Sequence, residues 1–260
     1  ITLESSNPSV ASVVDGNIII NGAGPVQLTA SQAGNQNYEP AEDVTVNFTV
    51  NKADQVISFG MPGSVTYGAP AINPGASASS ALTVTYASSD NSVAEVVDGL
   101  IYIRGVGDAT ITATQEGNSN FNPAPEVNSI ITVTKASLTF TADDLTRDYL
   151  HANPELTYTV TGFVYNDDID DIDEVPEIIT DAVTSSEVGT YDISISGGSD
   201  DCYEFVFETG TLTITKIHQI IVITNSTEEL LLDDTFQMAA TSTSGLQVEF
   251  ESLDPDVASV

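Results

Sequence analysis

The sequence predicts an all-β chain of tandem modules. Three observations carry that prediction. The basic residues number only 5 against 38 acidic ones, yet three of them, Lys52, Lys135 and Lys216, each close a β-rich run, at spacings of 135 − 52 = 83 and 216 − 135 = 81. Aspartate-glycine pairs sit between short alternating apolar runs, the strongest short-range signal for a two-residue β-hairpin. No stretch shows helical periodicity. A period near 80 residues exceeds that of solenoid and propeller repeats, so each period is expected to be a small domain with its own core.

The first segment, residues 1–52, holds Ser5-Ser-Asn-Pro-Ser-Val-Ala-Ser-Val-Val-Asp-Gly16, and the second, residues 53–135, repeats it as Ser88-Ser-Asp-Asn-Ser-Val-Ala-Glu-Val-Val-Asp-Gly99. Gln32-Ala-Gly-Asn-Gln-Asn-Tyr-Glu-Pro-Ala41 likewise returns as Gln115-Glu-Gly-Asn-Ser-Asn-Phe-Asn-Pro-Ala124. Asp254-Pro-Asp-Val-Ala-Ser-Val260 starts the first phrase again in the fourth segment, residues 217–260. In this register residues 1–52 are the C-terminal part of a module and residues 217–260 the N-terminal part of another. Each is expected to leave half an apolar face uncovered, and a larger parent protein is inferred.

Within the second segment, period-2 alternation marks Leu82–Tyr86, Leu100–Ile103 and Ala109–Ala113 as half-buried strands. Asp98-Gly99 is expected to turn Val93–Val97 back onto Leu100–Ile103, and Asp15-Gly16 to do the same in the first segment. Short strands with frequent turns over about 80 residues read as a β-sandwich. Tyr38 and Phe121 occupy equivalent positions of the repeated phrase and are expected to plug the ends of their sandwiches rather than to stack on a sugar.

The third segment, residues 136–216, keeps the length but loses the phrases, so a different topology is expected there. It carries 18 acidic and 2 basic residues, the densest run being Asp167, Asp168, Asp170, Asp171, Asp173 and Glu174. Hard cations take several oxygens from spaced carboxylates, which makes Asp167, Asp168, Asp170, Asp171 and Asp173 the calcium candidates of the chain. The spacing lacks the EF-hand glycine, and Asp167 and Asp168 are good N-caps for a short helix over Asp168–Ile172. The reading adopted is therefore a helix cap with no metal, no cofactor and no catalytic residue.

A formal net charge of −33 opposes phosphate backbones and anionic lipid surfaces, which excludes nucleic acid as a partner. No run approaches the roughly 18 apolar residues that insert into a bilayer as a helix. Cys202 has no second cysteine to pair with, and one Cys with His151 and His218 cannot assemble a zinc or iron–sulfur cage. No nucleophile elbow, zinc-protease motif or phosphate-binding loop is present, so no enzyme is expected. The joints Asn51-Lys52-Ala53-Asp54, Thr134-Lys135-Ala136-Ser137 and Thr215-Lys216-Ile217-His218 place a cation where a calcium cage would need carboxylates. A solvated lysine linker is the reading there, an exposed carboxylate pair being worth only about 0–1 kcal/mol.

Val65-Thr-Tyr-Gly-Ala-Pro70, Val84-Thr-Tyr-Ala-Ser-Ser-Asp90, Val93-Ala-Glu-Val96, Gly107-Asp-Ala-Thr-Ile-Thr-Ala113 and Gly117-Asn-Ser-Asn-Phe-Asn-Pro-Ala124 resemble bacterial Ig-like domains of group 2. The third segment resembles the MBG repeat of bacterial surface proteins through Ser137–Ala142, Arg147-Asp-Tyr149, Asn153–Tyr158, Gly162-Phe-Val164, Asp167-Asp168, Gly189–Ile193 and Gly210–Ile214. It departs where Leu150 replaces the glycine that usually follows the tyrosine, and where Cys202 replaces the asparagine that usually precedes Tyr203. These resemblances imply Ig-like sandwiches with one β-grasp-like MBG module, as in giant secreted adhesins of Bacteroidota, including gliding-motility adhesins. They imply an extracellular or cell-surface stalk segment whose partners are the neighbouring modules of the same chain. The rival readings are an MBG module that itself binds a glycan or mucin, and the spacer of an extracellular hydrolase.

Overall fold

The structure, a computed structural model, describes residues 1–225 and 229–260. It is nearly all β. The first segment forms β1 (Thr2–Ser5), β2 (Ala11–Val14), β3 (Asn17–Ile20), β4 (Gly24–Ser31) and β5 (Val44–Val50). The second forms β6 (Ile57–Ser58), β7 (Ser64–Thr66), β8 (Ser77–Ala78), β9 (Thr85–Ser88), β10 (Ala94–Val97), β11 (Leu100–Ile103), β12 (Gly107–Thr114) and β13 (Val127–Thr134). The third forms β14 (Ala136–Ala142), β15 (Leu145–Asp148), β16 (Tyr158–Thr161), β17 (Glu177–Thr180), β18 (Gly189–Ser196), β19 (Tyr203–Glu208) and β20 (Gly210–Thr215), with one 3₁₀ turn at Ile169–Asp171. β21 (Ile221–Ile223) and β22 (Ala240–Ser242) pair in the fourth.

By backbone contacts the chain divides into two compact units. One comprises Ile1–Thr139, Val160–Pro176 and Gly197–Val206; the other comprises Phe140–Thr159, Glu177–Ser196 and Phe207–Val260.

In the first unit both aspartate-glycine hairpins form as expected. Val97 pairs with Leu100 and Val14 with Asn17, and the turn residues Asp98, Gly99, Asp15 and Gly16 all have positive φ, from 50° to 78°, which is the type I′ geometry. Alternation on β11 and β12 then buries Ile101, Ile103, Ala109 and Ile111, which pack with Val93, Ala94, Ile131 and Val133, and Ala113, which packs with Ile57, Ala78 and Val84. The expected strand Leu82–Tyr86 is displaced to Thr85–Ser88, because Ala81 turns at φ 61° and the ladder with β12 starts only at Thr85.

The equivalents of Ile101 and Ile103 in the first segment, Ile18 and Ile20, are 46% and 54% exposed. Ile101 exchanges backbone bonds with Ile72 in an isolated bridge, and residues 1–52 contain no counterpart of that segment. Tyr38 is a correction to the sequence reading: it is 75% exposed and plugs nothing. Its equivalent Phe121 is half-buried beside Ala53, a position that again has no counterpart in residues 1–52.

The second and third segments share one sheet order. β7-β13-β12-β9 places an early strand parallel to the last strand, then two antiparallel neighbours, and β15-β20-β18-β17 does the same. The third segment differs in its other sheet, β16-β14-β19, where the second has only two-stranded pairs. The expected difference in topology is thus confined to that sheet. The expected short helix is the 3₁₀ turn, capped by Asp168 with a reciprocal bond from the Asp168 amide to Asp171.

In the second unit Phe140, Ile193, Leu212 and Ile214 are buried, with Phe140 edge-on to Tyr158 at 5.5 Å. Arg147 is also buried. Its guanidinium donates to Asn153 Oδ1 at 2.7 Å, the Asp148 carbonyl at 3.1 Å and the Val183 carbonyl at 2.6 Å, while Asn153 donates to the Ala182 carbonyl. A buried cation is held here by neutral oxygens alone, which fastens the loop after β17 to the end of β15.

Candidate functional site: the joints between segments

Four of the five candidate calcium ligands, Asp167, Asp168, Asp171 and Asp173, use their carboxylates in structural bonds, whereas Asp170 contributes its backbone amide. Asp167 Oδ2 accepts from the Tyr203 hydroxyl at 2.7 Å and the Tyr67 hydroxyl at 3.2 Å. Asp168 Oδ1 accepts from the Asp170 amide and Asp171 Oδ2 from the Asp168 amide, both at 2.9 Å. Asp173 Oδ2 accepts from the Asp201 amide at 3.1 Å. Among the described residues no group of three or more His, Cys, Asp or Glu side chains is arranged to hold a metal ion.

Asp167 lies at the joint between the second and third segments, inside the first compact unit. Tyr67 stands edge-on to both Tyr165, at 5.3 Å, and Tyr203, at 5.7 Å. Tyr165 donates its hydroxyl to the Ile103 carbonyl at 3.1 Å, and Tyr203 accepts from the Val164 amide at 3.0 Å. Burial, followed by the Asp167 charge, pushes the Tyr67 phenol well above its ordinary range. Burial and the Asp167 hydrogen bond do the same to Tyr203, against the opposing Val164 amide. Gly68 makes the approach feasible. It has φ +91°, and a β-carbon there would lie 2.6 Å from Val164 Cβ, so the Tyr67-Gly68 corner accepts Val164 only as glycine.

A second set of bonds at this joint repeats one found between the first and second segments. Lys52 Nζ donates to the Asn118 carbonyl at 2.7 Å, and Lys135 Nζ to the Asp200 carbonyl at 2.7 Å. The Ala53 amide donates to the Asn120 carbonyl and the Ala136 amide to the Cys202 carbonyl, each at 2.9 Å. Asn118 Oδ1 accepts the amides of Asn120 and Phe121, and Asp200 Oδ1 those of Cys202 and Tyr203. Asn120 Oδ1 then accepts the Ala23 amide at 2.9 Å, and the equivalent amide in the next repeat, Val106, acts on the Cys202 sulfur. Burial is the larger influence on that thiol and raises its pKa.

Sequence reading missed this equivalence, because Asn118-Ser-Asn-Phe121 and Asp200-Asp-Cys-Tyr203 share only the acceptor at the first position and the aromatic at the last. The common signal was an Asx residue three before an aromatic. Lys52, Lys135 and Lys216 are all exposed, as a solvated linker requires, and the ammonium groups of Lys52 and Lys135 also donate to backbone carbonyls late in the following segment rather than to carboxylates. A flexible ammonium serves this role because it is a single multiply donating point that a carbonyl can accept without buried charge.

No helix among the described residues is long and apolar enough to cross a membrane. Among curated proteins none matches the chain. Of solved structures, domains 4–9 of the surface-layer protein SbsC align over 94% of this chain and 45% of theirs, at 16% identity and TM-score 0.27. The first three extracellular repeats of Drosophila N-cadherin align over 83% of this chain and 89% of theirs, at 12% identity and TM-score 0.26. The chain thus spans less than half of the surface-layer structure. At residues 138–213 it matches the MBG domain family of the YGX type, with Leu150 after Tyr149 where the family's label has glycine, and Leu150 takes the left-handed φ of +64° that glycine would adopt without strain.

Proposed function

We propose that this chain is a stalk segment of a large bacterial cell-surface or secreted adhesin, of the gliding-motility kind, in which Ig-like modules and one MBG module act in series as an extracellular spacer without catalysis. The observation that supports it is the joint. One bonding scheme, lysine to carbonyl, amide to carbonyl and an Asx side-chain oxygen to two backbone amides, is used before two segments whose second sheets differ. A device kept while the following module changes serves connection rather than the chemistry of either module. The joints contain neither glycine nor proline, and at the first two the lysine ammonium donates to a backbone carbonyl of the following segment.

In-frame deletion of residues 53–135 from the parent tests this reading. The fibre is expected to shorten by roughly 35–45 Å, from strand lengths of about 6–10 residues plus end loops, with ligand specificity unchanged. Loss of ligand specificity on that deletion would overturn it. Specific capture of a glycan or mucin by the intact chain, abolished by Asn at Asp170, Asp171 and Asp173, would instead favour the binding-module reading.

A further inference from the structure

Tension is the natural load on a stalk, and two strand pairs stand where it is resisted. In the first unit β7 runs parallel to β13, with Ser64, Val65 and Thr66 opposite Thr132, Val133 and Thr134. In the second unit β15 runs parallel to β20, with Leu145, Thr146, Arg147 and Asp148 opposite Leu212, Thr213, Ile214 and Thr215. In each case the early strand follows one other strand of its segment, β6 or β14, and the last strand ends one residue before the joint lysine. Pulling on the chain draws the early strand toward its N-terminus and the last toward its C-terminus. In a parallel pair these pulls are opposed along the strand axis, so every cross-strand bond is strained together. An antiparallel terminal pair would open at one end, bond by bond.

Both pairs are braced in the same way. The Tyr67 amide donates to the Thr134 carbonyl at 2.8 Å and the Tyr149 amide to the Thr215 carbonyl at 2.9 Å. The Thr134 hydroxyl returns to the Val65 carbonyl at 3.2 Å, and the Thr215 hydroxyl to the Arg147 carbonyl at 3.3 Å and Asp148 Oδ1 at 2.5 Å. These two threonines sit in matching runs, Thr132-Val-Thr-Lys135 and Thr213-Ile-Thr-Lys216, of segments whose other phrases differ. We infer that β7–β13 and β15–β20 are shear clamps that make each segment a tension-bearing link, with Thr134 and Thr215 as their terminal bolts. The inference rests on the spacer reading and assigns to it a mechanical activity.

Single-molecule pulling on the whole chain, with handles at both termini, tests it. Two high-force events are expected, each releasing on the order of 20–25 nm, the extended length of the chain between the paired strands less its folded span. Thr134→Val and Thr215→Val keep the β-branched shape and remove the hydroxyl, and each is expected to lower the force of its own event while leaving the other unchanged. Thr112→Val removes a comparable bond, Thr112 Oγ1 to Asn128 Oδ1 at 2.7 Å, that does not cross a clamp; it is expected to lower thermal stability but not the rupture force. Thr134→Ser, which keeps the hydroxyl, should pull like the wild type even if the valine variant misfolds. Equal loss of force in Thr112→Val and Thr134→Val, or rupture at forces no higher than those that peel an antiparallel hairpin, overturns the clamp. Such a result leaves the spacer reading to be decided by the deletion experiment.

Discussion

Replacing Asp200 separates a structural joint from an incidental loop. Asp200 is buried, and its Oδ1 accepts the Cys202 amide at 2.7 Å and the Tyr203 amide at 2.9 Å, while Oδ2 is 3.4 Å from the Asp173 amide. In Asp200→Ala the two short bonds vanish and their donors remain in a part-buried loop. At ~1–3 kcal/mol for each unsatisfied donor, reduced where water can enter, the loss is about 2–4 kcal/mol. Asp200→Asn is the informative partner, since Asn118 performs the same task in the preceding joint at 2.8 and 3.0 Å. Asparagine gives up the charge assistance but also removes a buried negative charge from a chain of net charge −33, so its cost is expected to stay below ~1 kcal/mol. The chain has no tryptophan, so urea unfolding is followed by tyrosine emission, with hydrogen exchange at the Cys202 and Tyr203 amides as the local readout. Fast exchange at both amides is expected in the alanine variant and near-native protection in the asparagine variant. Equal destabilisation by the two substitutions would refute the equivalence of the joints.

Four further outcomes are expected. Leu150→Gly relieves a left-handed leucine at a cost in unfolded-state entropy, for a net gain of roughly 0.5–1 kcal/mol in unfolding free energy, read as a rise in the urea midpoint. Arg147→Met leaves the Asn153, Asp148 and Val183 oxygens without their donor and should cost about 2–4 kcal/mol, with Arg147→Lys recovering only part because one ammonium cannot reach all three. Tyr67, Tyr203 and Tyr165 hold their protons more tightly folded than unfolded, so the stability they contribute is complete below pH ~10 and falls as pH rises beyond it; Asp167→Asn should bring the phenolate absorbance transition of Tyr67 and Tyr203 to lower pH. Calcium chelation at constant ionic strength should leave the melting temperature unchanged, whereas moderate monovalent salt should raise it by screening self-repulsion; a large fall on chelation would point to specific ion sites.

The sequence by itself determined the elements whose causes are local. Asp98-Gly99 makes its hairpin because only a pair tolerant of positive φ closes a type I′ turn, and the alternation of Ala109–Ala113 buries one face because side chains on a strand point to opposite sides. Asp168 caps its turn because its carboxylate reaches an amide two residues ahead. Tertiary structure alone decided the features that depend on residues distant in the chain. Tyr38 and Phe121 share a phrase but not a fate, since burial depends on the presence of Ala53 beside one of them. Asp167 could have been a calcium ligand by composition, and it is a joint acceptor because Tyr67, 100 residues earlier, delivers a hydroxyl to it. The joint itself was hidden for the same reason: an acceptor for a backbone amide can be asparagine or aspartate, so its geometry recurs between Asn118–Phe121 and Asp200–Tyr203 while the letters change.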